Sequence, residues 1–275
     1  MKVCVSIAGS DSGGGAGIQA DIKSMQANGV FAASVITAIT AQNTLAVERA
    51  YELPAEWVTA QIDAVYDDLP IAAAKTGMLA SAGIIEAVAG KVRERAIAPL
   101  VVDPVMVSKS GYALLRDDAV DTLVSQLLPL ATLITPNAFE AERMVGFAVR
   151  TRGDAERAAR TLHAGGPQWV LVKGGHLDEP GRAVDVLFDG QRFEYFESER
   201  VSTPHTHGTG DTYASAIAAN LARGFDMSNA VSRAKRYVTE AIRHGLAIGG
   251  GHGPTHHFYF LDQTPVFPYA RDKEA

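Results

Sequence analysis

Short apolar, β-branched runs alternate with amphipathic stretches from one end of the chain to the other. Runs at 3–8, 30–39, 71–75, 99–103, 131–135 and 168–173 are continuous enough to be strands buried on both faces, as in a parallel sheet. The stretches between them carry helical spacing. Pro54 opens one, with Val58, Ile62, Val65 and Leu69 recurring every three or four residues. Ser81 stands where it would cap a second, which places Ile84, Ile85, Val88 and Val92 on one face. A late helix after Asp226 turns Ala230, Val231, Ala234, Val238, Ala241 and Ile242 inward, and Gly245 should close it. Residues 183–197, with Asp189-Gly190 between two apolar runs, read instead as a β-hairpin. This rhythm predicts an α/β fold with a doubly wound, mostly parallel sheet and helices on both faces. With no linker, repeat or low-complexity segment to divide it, the chain is expected to form one domain over 1–275.

Composition narrows the partners more than the fold. The chain has 275 residues, 47% hydrophobic and 20% charged, with a net charge of −6 and no block of like charges. That argues against nucleic acid or an anionic membrane as the main partner. Cys4 is the only cysteine, so no intrachain disulfide can form. The apolar run behind Met1 has strand length and passes straight into glycines, too short for a signal-peptide core or a membrane helix. A cytoplasmic location is expected.

In open parallel sheets, ligands sit beyond the carboxyl ends of the strands. Polar segments follow the strands in turn: Gly9-Ser10-Asp11, Thr40-Ala41-Gln42-Asn43, Lys75-Thr76-Gly77-Met78, Asp103-Pro104, Pro136-Asn137 and Lys173-Gly174-Gly175-His176. Six such segments in register define a site. The glycine-rich stretch from Gly9 to Gly17 lacks the dinucleotide-binding spacing, and no phosphate-loop motif occurs elsewhere. Taken alone it serves equally as a strand-to-helix turn or a ligand lid. Thr206-His207-Gly208-Thr209-Gly210-Asp211 runs directly into a helical pattern at Ala214, Ile217, Ala218 and Leu221. Glycines at a helix start let backbone N–H groups approach an anion, and the helix dipole favours negative charge there. Asp211 is therefore either a helix cap or a base beside an anion hole. The glycine pair, which a cap does not need, favours the base.

The segments Gly9–Asp21, Thr40-Ala41-Gln42-Asn43-Thr44, Lys75-Thr76-Gly77-Met78-Leu79, Asp103-Pro104-Val105-Met106, Lys109-Ser110-Gly111, Thr135-Pro136-Asn137 with Glu140-Ala141, Lys173-Gly174-Gly175-His176, His207-Gly208-Thr209-Gly210 and Gly253-Pro254 with His256-His257 closely resemble, in order, the hydroxymethylpyrimidine/phosphomethylpyrimidine kinases of thiamine biosynthesis. That family is ribokinase-like and related to the pyridoxal kinases. The resemblance implies ATP as phosphoryl donor, Mg²⁺, a hydroxymethylpyrimidine substrate and a homodimer. It implies that Gln42 bonds the pyrimidine edge while Ala16, Met78 and Val105 line the ring pocket. Gly208, Thr209 and Gly210 would form the anion hole around the transferring phosphoryl group. Asn137 and Glu140 would help hold Mg²⁺ and phosphate, and Lys173 would serve the nucleotide side. These residue types suit those tasks, since an amide offers a donor and an acceptor, and Asn and Glu offer hard oxygens. Phosphoryl transfer needs mainly positioning and charge neutralisation.

One position departs from the pattern. The thiamine-pathway kinases usually carry Cys where this chain has Asp211, whereas sugar kinases of the same superfamily and one group of pyridoxal kinases carry Asp. A pyridoxal or pyridoxine kinase therefore stays open beside the pyrimidine kinase, as does a non-enzymatic binder on a kinase scaffold. Asp103 reads as a magnesium-site residue or a strand-end cap, and Lys109 as a solvated loop residue or a phosphate clamp on a lid. Asp21 is expected to support the first loop from its helix. His252, His256 and His257 lack companion ligands and are read as a structural tail motif. Trp57 and Trp169 are read as helix packing and strand core.

Overall fold

The computed structural model of the chain describes residues 1–263. The strands are β1 (Val3–Asp11), β2 (Phe31–Gln42), β3 (Val47–Glu52), β4 (Ile71–Thr76), β5 (Leu100–Val102), β6 (Leu133–Ile134), β7 (Trp169–Val172), β8 (Arg182–Phe188) and β9 (Phe193–Glu199). The helices are α1 (Gly17–Ala27), α2 (Ala55–Asp68), α3 (Ala82–Glu94), α4 (Val120–Thr122, running on into a π-turn), α5 (Ala138–Val145), α6 (Arg152–His163), α7 (Thr209–Ala222) and α8 (Met227–Arg243). Among the described residues the strands form one sheet in the order β3-β2-β1-β4-β5-β6-β7-β8-β9. The run from β2 to β7 is parallel, while β3 at one edge and the β8–β9 hairpin at the other are antiparallel. This is the doubly wound, mostly parallel sheet that the sequence pattern predicts.

Neighbouring residues along the strands explain why both faces are covered. Val5, Val102, Ile134 and Val170 pack with α2, α3 and α6 on one side, while Cys4, Val101, Leu133 and Leu171 pack with α1, α7 and α8 on the other. Successive side chains of a strand point to opposite faces, so a run with no polar alternation demands helices on both. Strand order reverses at β1, which pairs with β2 on one side and β4 on the other. That is the switch point where a crevice opens at the strand ends.

Several local expectations are corrected. The strand β3 carries no apolar run; most of it is exposed, and it lies at the sheet edge, where pairing rather than burial holds it. Ser81 occupies the N-cap position of α3 but its side chain makes no cap bond, unlike Asp226, which accepts from Asn229 N at the start of α8. Gly245 follows α8 without a left-handed turn, and a Cβ there would lie 2.7 Å from the His205 carbonyl oxygen. Trp57 lies on the outer face of α2, 62% exposed, whereas Trp169 packs partly buried against the α7–α8 layer.

Candidate functional site

The cleft at the switch point has a volume of about 610 Å³. Asp211, in its lining, belongs to a buried ionic triad. Lys75, at the C-terminal end of β4, has no solvent exposure, and its Nζ donates to Asp21 Oδ1 at 2.8 Å and to Asp211 Oδ1 at 2.9 Å. Asp21, from α1, also accepts from Ser6 Oγ and from Ser215 Oγ on α7, at 2.5 and 2.7 Å. Burial works to lower the pKa of Lys75, but Asp21 and then Asp211 outweigh it, and the ammonium is held well above its usual range. Asp211 lies in the first turn of α7, where its Oδ2 also accepts from Gly17 N at 3.2 Å. Burial works to raise its pKa; the charge and hydrogen bond of Lys75 outweigh this, and the carboxyl falls below its ordinary value. Asp211 is thus no helix cap; Gly208 occupies the N-cap position. Asp21 does not brace the first glycine loop either, because its carboxylate is spent on Lys75 and the two serines.

Asp11 braces that loop instead. From the last position of β1, its carboxylate accepts from the backbone N–H of Gly13, Gly15 and Ala16 at 2.7, 3.0 and 2.9 Å, and lies 3.0 Å from His207 Nε2. The two glycine loops then close on each other. Gly208 has φ +75°, and a Cβ there would lie 1.9 Å from the Gly15 carbonyl oxygen. Only glycine allows that turn and that approach. The first-turn N–H groups of a helix lack intrahelical acceptors. At the start of α7 the segment Gly208-Thr209-Gly210 lines the cleft, although the Thr209 amide turns back to the Thr206 carbonyl at 3.3 Å. Across the cleft, Gln42 ends β2, its backbone N and O both tied to Ser12 Oγ at 2.8 and 2.7 Å. Ala16, Met78 and Val105 line the same cavity.

Asp103, Lys173 and Glu140 form a second charged group on the far side of Gly210. Lys173 Nζ donates to Asp103 Oδ1 at 2.7 Å and stands 3.9 Å from Glu140 Oε2. Asn137 and Glu140 form a reciprocal cap at the start of α5, with Glu140 Oε2 accepting from Asn137 N at 2.7 Å and Asn137 Oδ1 from Glu140 N at 2.9 Å. Burial pushes the Glu140 carboxyl up to about 7, against the pull of Lys173. A Cβ on Gly210 would lie 3.4 Å from both Asp103 Oδ2 and Lys173 Nζ, so the glycine turn and this group touch. Lys109 stands exposed on the loop above.

A second cavity of about 330 Å³ adjoins the first and shares Lys109, Asn137, Lys173, Thr209 and Gly210 with it. Its wall includes a cluster that sequence reasoning missed. Asp185 accepts from Gly174 N at 2.7 Å, from Lys235 Nζ at 2.8 Å and from Tyr213 OH at 2.9 Å. The structure therefore brings every residue singled out above as catalytic, substrate-binding, phosphate-binding or metal-binding to one pair of joined cavities. The signal that could have exposed Lys75 is a lysine closing an apolar run in a strand covered on both faces, which must find a buried partner. Of the tail histidines, His257 is buried and its Nε2 lies 3.1 Å from Thr212 Oγ1, packing the tail against α7.

A cleft at the switch point, a glycine-opened helix start with an ionised carboxylate in its first turn, and a neighbouring cavity beyond that turn define a ribokinase-like small-molecule kinase. The chain belongs to the phosphomethylpyrimidine kinase family, whose sequence pattern matches residues 11–256. It is 49% identical to the hydroxymethylpyrimidine/phosphomethylpyrimidine kinase of Synechococcus elongatus over 261 residues, 95% of this chain and 99% of that protein. Among solved structures, the ADP complex of Bacillus subtilis pyridoxal kinase superposes with a TM-score of 0.87 at 39% identity, covering 94% of this chain and 97% of that one. The phosphomethylpyrimidine kinase of Clostridium difficile superposes with a TM-score of 0.78 at 43% identity, covering 88% and 100%.

Proposed function

We propose that this protein transfers the γ-phosphoryl group of ATP to the hydroxymethyl group of 4-amino-5-hydroxymethyl-2-methylpyrimidine, and then phosphorylates the monophosphate, as a step of thiamine biosynthesis. The observation that carries the reading is the position of Asp211. Its carboxylate, paired with Lys75, lines the same cleft as Gln42 and directly follows the Thr209-Gly210 turn that the cleft shares with the second cavity.

In this reading the pyrimidine lies against Ala16, Met78 and Val105, with its amino edge on the Gln42 amide. Asp211 accepts the hydroxyl proton as the oxygen attacks, and Lys75 keeps that carboxylate ionised between turnovers. The N–H groups of Gly208 and Gly210 and the α7 dipole meet the charge on the transferring group, while Thr209 holds the turn through its bonds to the Thr206 carbonyl. Lys173 neutralises phosphate oxygens from the other side, and Lys109 closes over them from its loop. The whole chain works as one kinase domain.

The donor set fits Mg²⁺. Asp103 and Glu140 offer two hard carboxylate oxygens beside Lys173, with Asn137 adjacent, and magnesium is commonly held by one or two carboxylates together with phosphate and water oxygens. When bound, the ion would neutralise charge on the donor phosphates.

A homodimer is part of the proposal. The cross-strand pair Ile39–Tyr51 on β2 and β3 is 51% and 66% exposed, an apolar strip suited to a second copy. A cytoplasmic location is part of the proposal; no helix among the described residues is long and apolar enough to cross a membrane.

The pyridoxal kinase reading keeps one observation of its own, the close superposition on the Bacillus subtilis pyridoxal kinase. The proposal is tested by ³¹P NMR of a reaction with ATP, Mg²⁺ and the hydroxymethylpyrimidine. Sequential monophosphate and diphosphate signals support it, and unchanged ATP with this alcohol contradicts it.

A further inference from the structure

Four polar groups meet where the ring pocket touches the two glycine loops. His207 Nε2 lies 3.0 Å from Asp11 Oδ2 and 3.2 Å from one terminus of the Gln42 amide. The other terminus lies 3.1 Å from Thr40 Oγ1, which is itself 2.9 Å from the Ser10 carbonyl oxygen. His207 and Thr40 are buried, 9% and 4% exposed, so these groups must satisfy one another.

Proton accounting leaves one consistent arrangement. Asp11 already accepts three backbone N–H bonds, and its carboxyl is held below its ordinary pKa, so it is an ionised acceptor. His207 must therefore carry its proton on Nε2, since a bare ring nitrogen would face a carboxylate at 3.0 Å. A protonated Nε2 cannot also accept from an amide nitrogen 3.2 Å away, so the amide terminus turned to His207 is the oxygen, which shares the single Nε2 proton with Asp11 Oδ2 in a three-centre bond. The nitrogen then faces Thr40 and donates to its Oγ1, which passes its single proton to the Ser10 carbonyl. The opposite orientation would set the single Thr40 proton between two acceptor oxygens, leaving one of the two contacts without a proton, and would set two N–H donors against each other.

We infer that His207 is a positioning residue that fixes the orientation of the Gln42 amide and so selects which ring edge the pocket accepts. With Oε1 held by His207 and Nε2 by Thr40, the amide has one lone pair on the His207 side and one N–H on the Thr40 side left for a ligand. The complementary ligand edge carries an amino group beside an unprotonated ring nitrogen, as a 4-aminopyrimidine does. A pyridine ring whose hydroxyl stands meta to the ring nitrogen does not place a donor directly beside that nitrogen. The inference rests on the reading that Gln42 contacts the ring, and the test separates the two.

The test uses His207→Phe, His207→Gln and Gln42→Ala in the full-length enzyme, with KM measured for the pyrimidine and for ATP. Phe keeps a flat ring over Gly15, whose Cβ position would lie 2.5 Å from His207 Cδ2, but it has no N–H. Gln restores an N–H near the place of Nε2. His207→Phe should raise the pyrimidine KM at least tenfold with the ATP KM changed less than twofold, and His207→Gln should recover most of the loss. Long-range ¹H–¹⁵N NMR of the wild-type enzyme should show His207 protonated at Nε2. If Gln42→Ala leaves the pyrimidine KM unchanged, the ring-contact reading fails, and the inference with it. If Gln42→Ala raises it but His207→Phe does not, or if His207 carries its only proton on Nδ1, the inference alone is overturned. Equal damage to both KM values by His207→Phe, with no recovery in His207→Gln, also overturns it.

Discussion

The ammonium of Lys75 lies 2.9 Å from the carboxylate of Asp211 and has no exposed side-chain surface. The base proposed for phosphoryl transfer is thus paired with a cation that solvent does not reach. Lys75 in turn is shared with Asp21, so the site holds two carboxylates around one ammonium.

Removing the cation should have two effects. Lys75→Met leaves both buried carboxylates without their counter-charge, and loss of one member of a buried ion pair costs roughly 3–5 kcal/mol. Asp21→Leu added to it should recover part of the melting temperature without restoring activity. The pH profile carries the second effect. The folded pKa of Asp211 is depressed, so its contribution to stability is complete above the unfolded value of about 3.9 and is lost as pH falls through the lower folded value. Wild-type kcat/KM should therefore show no acid limb from this group above about pH 4. In Lys75→Met the main influence opposing burial is gone, with only the Gly17 N–H and His207 left to lower the pKa, and the limb should move upward. A limb at the same pH in both proteins would separate Lys75 from the base.

Gly208→Ala should be far more damaging than Gly175→Ala. A side chain at φ +75° costs about 1–2 kcal/mol, and the added Cβ would also overlap the Gly15 carbonyl oxygen. Nothing lies within 4 Å of a Cβ at Gly175, where the change should stay within about 0.5 kcal/mol. Thermal melts of both variants decide this, and equal melting temperatures would show that the loops do not meet as described.

Asp211→Asn keeps the shape of the side chain and leaves Lys75 paired with Asp21, so the fold should persist. Loss of a general base typically lowers the rate by about 10²–10⁴-fold. The expected result is that loss in kcat, with nucleotide affinity measured by calorimetry unchanged. A variant retaining more than about a tenth of wild-type kcat would remove Asp211 from the chemistry.

Much of this arrangement was legible in the chain because the chemistry sits where strands end. The runs at 3–8 and 30–39 became β1 and β2, and both strands continue into their polar tails, so Asp11 and Gln42 are strand residues rather than loop residues. Asp11 and Thr40 are register partners, which is why the first glycine loop reaches the ring pocket. What the sequence could not show is pairing between distant elements. Asp21 and Lys75 are 54 positions apart, and His207 and Asp11 are 196 apart. Only the winding of the sheet brings each pair together. The Asp185 cluster was hidden for the same reason, since its three partners come from the turn after β7, from α7 and from α8. The edge strand β3 was missed because a strand held by pairing at an edge carries no buried apolar run.

Substrate choice is tested most directly by one measurement: kcat/KM with ATP for hydroxymethylpyrimidine, pyridoxine and pyridoxal, in wild type and in Asp211→Cys. A carboxylate can deprotonate an alcohol but cannot add to an aldehyde as a thiolate can, so Asp211 suits the plain alcohols. The account predicts that wild type prefers hydroxymethylpyrimidine over pyridoxal, and that Asp211→Cys shifts the ratio toward pyridoxal even if absolute rates fall. A wild-type preference for pyridoxal of tenfold or more, about 1.4 kcal/mol in transition-state stabilisation, would contradict it and make the protein a vitamin B6 kinase.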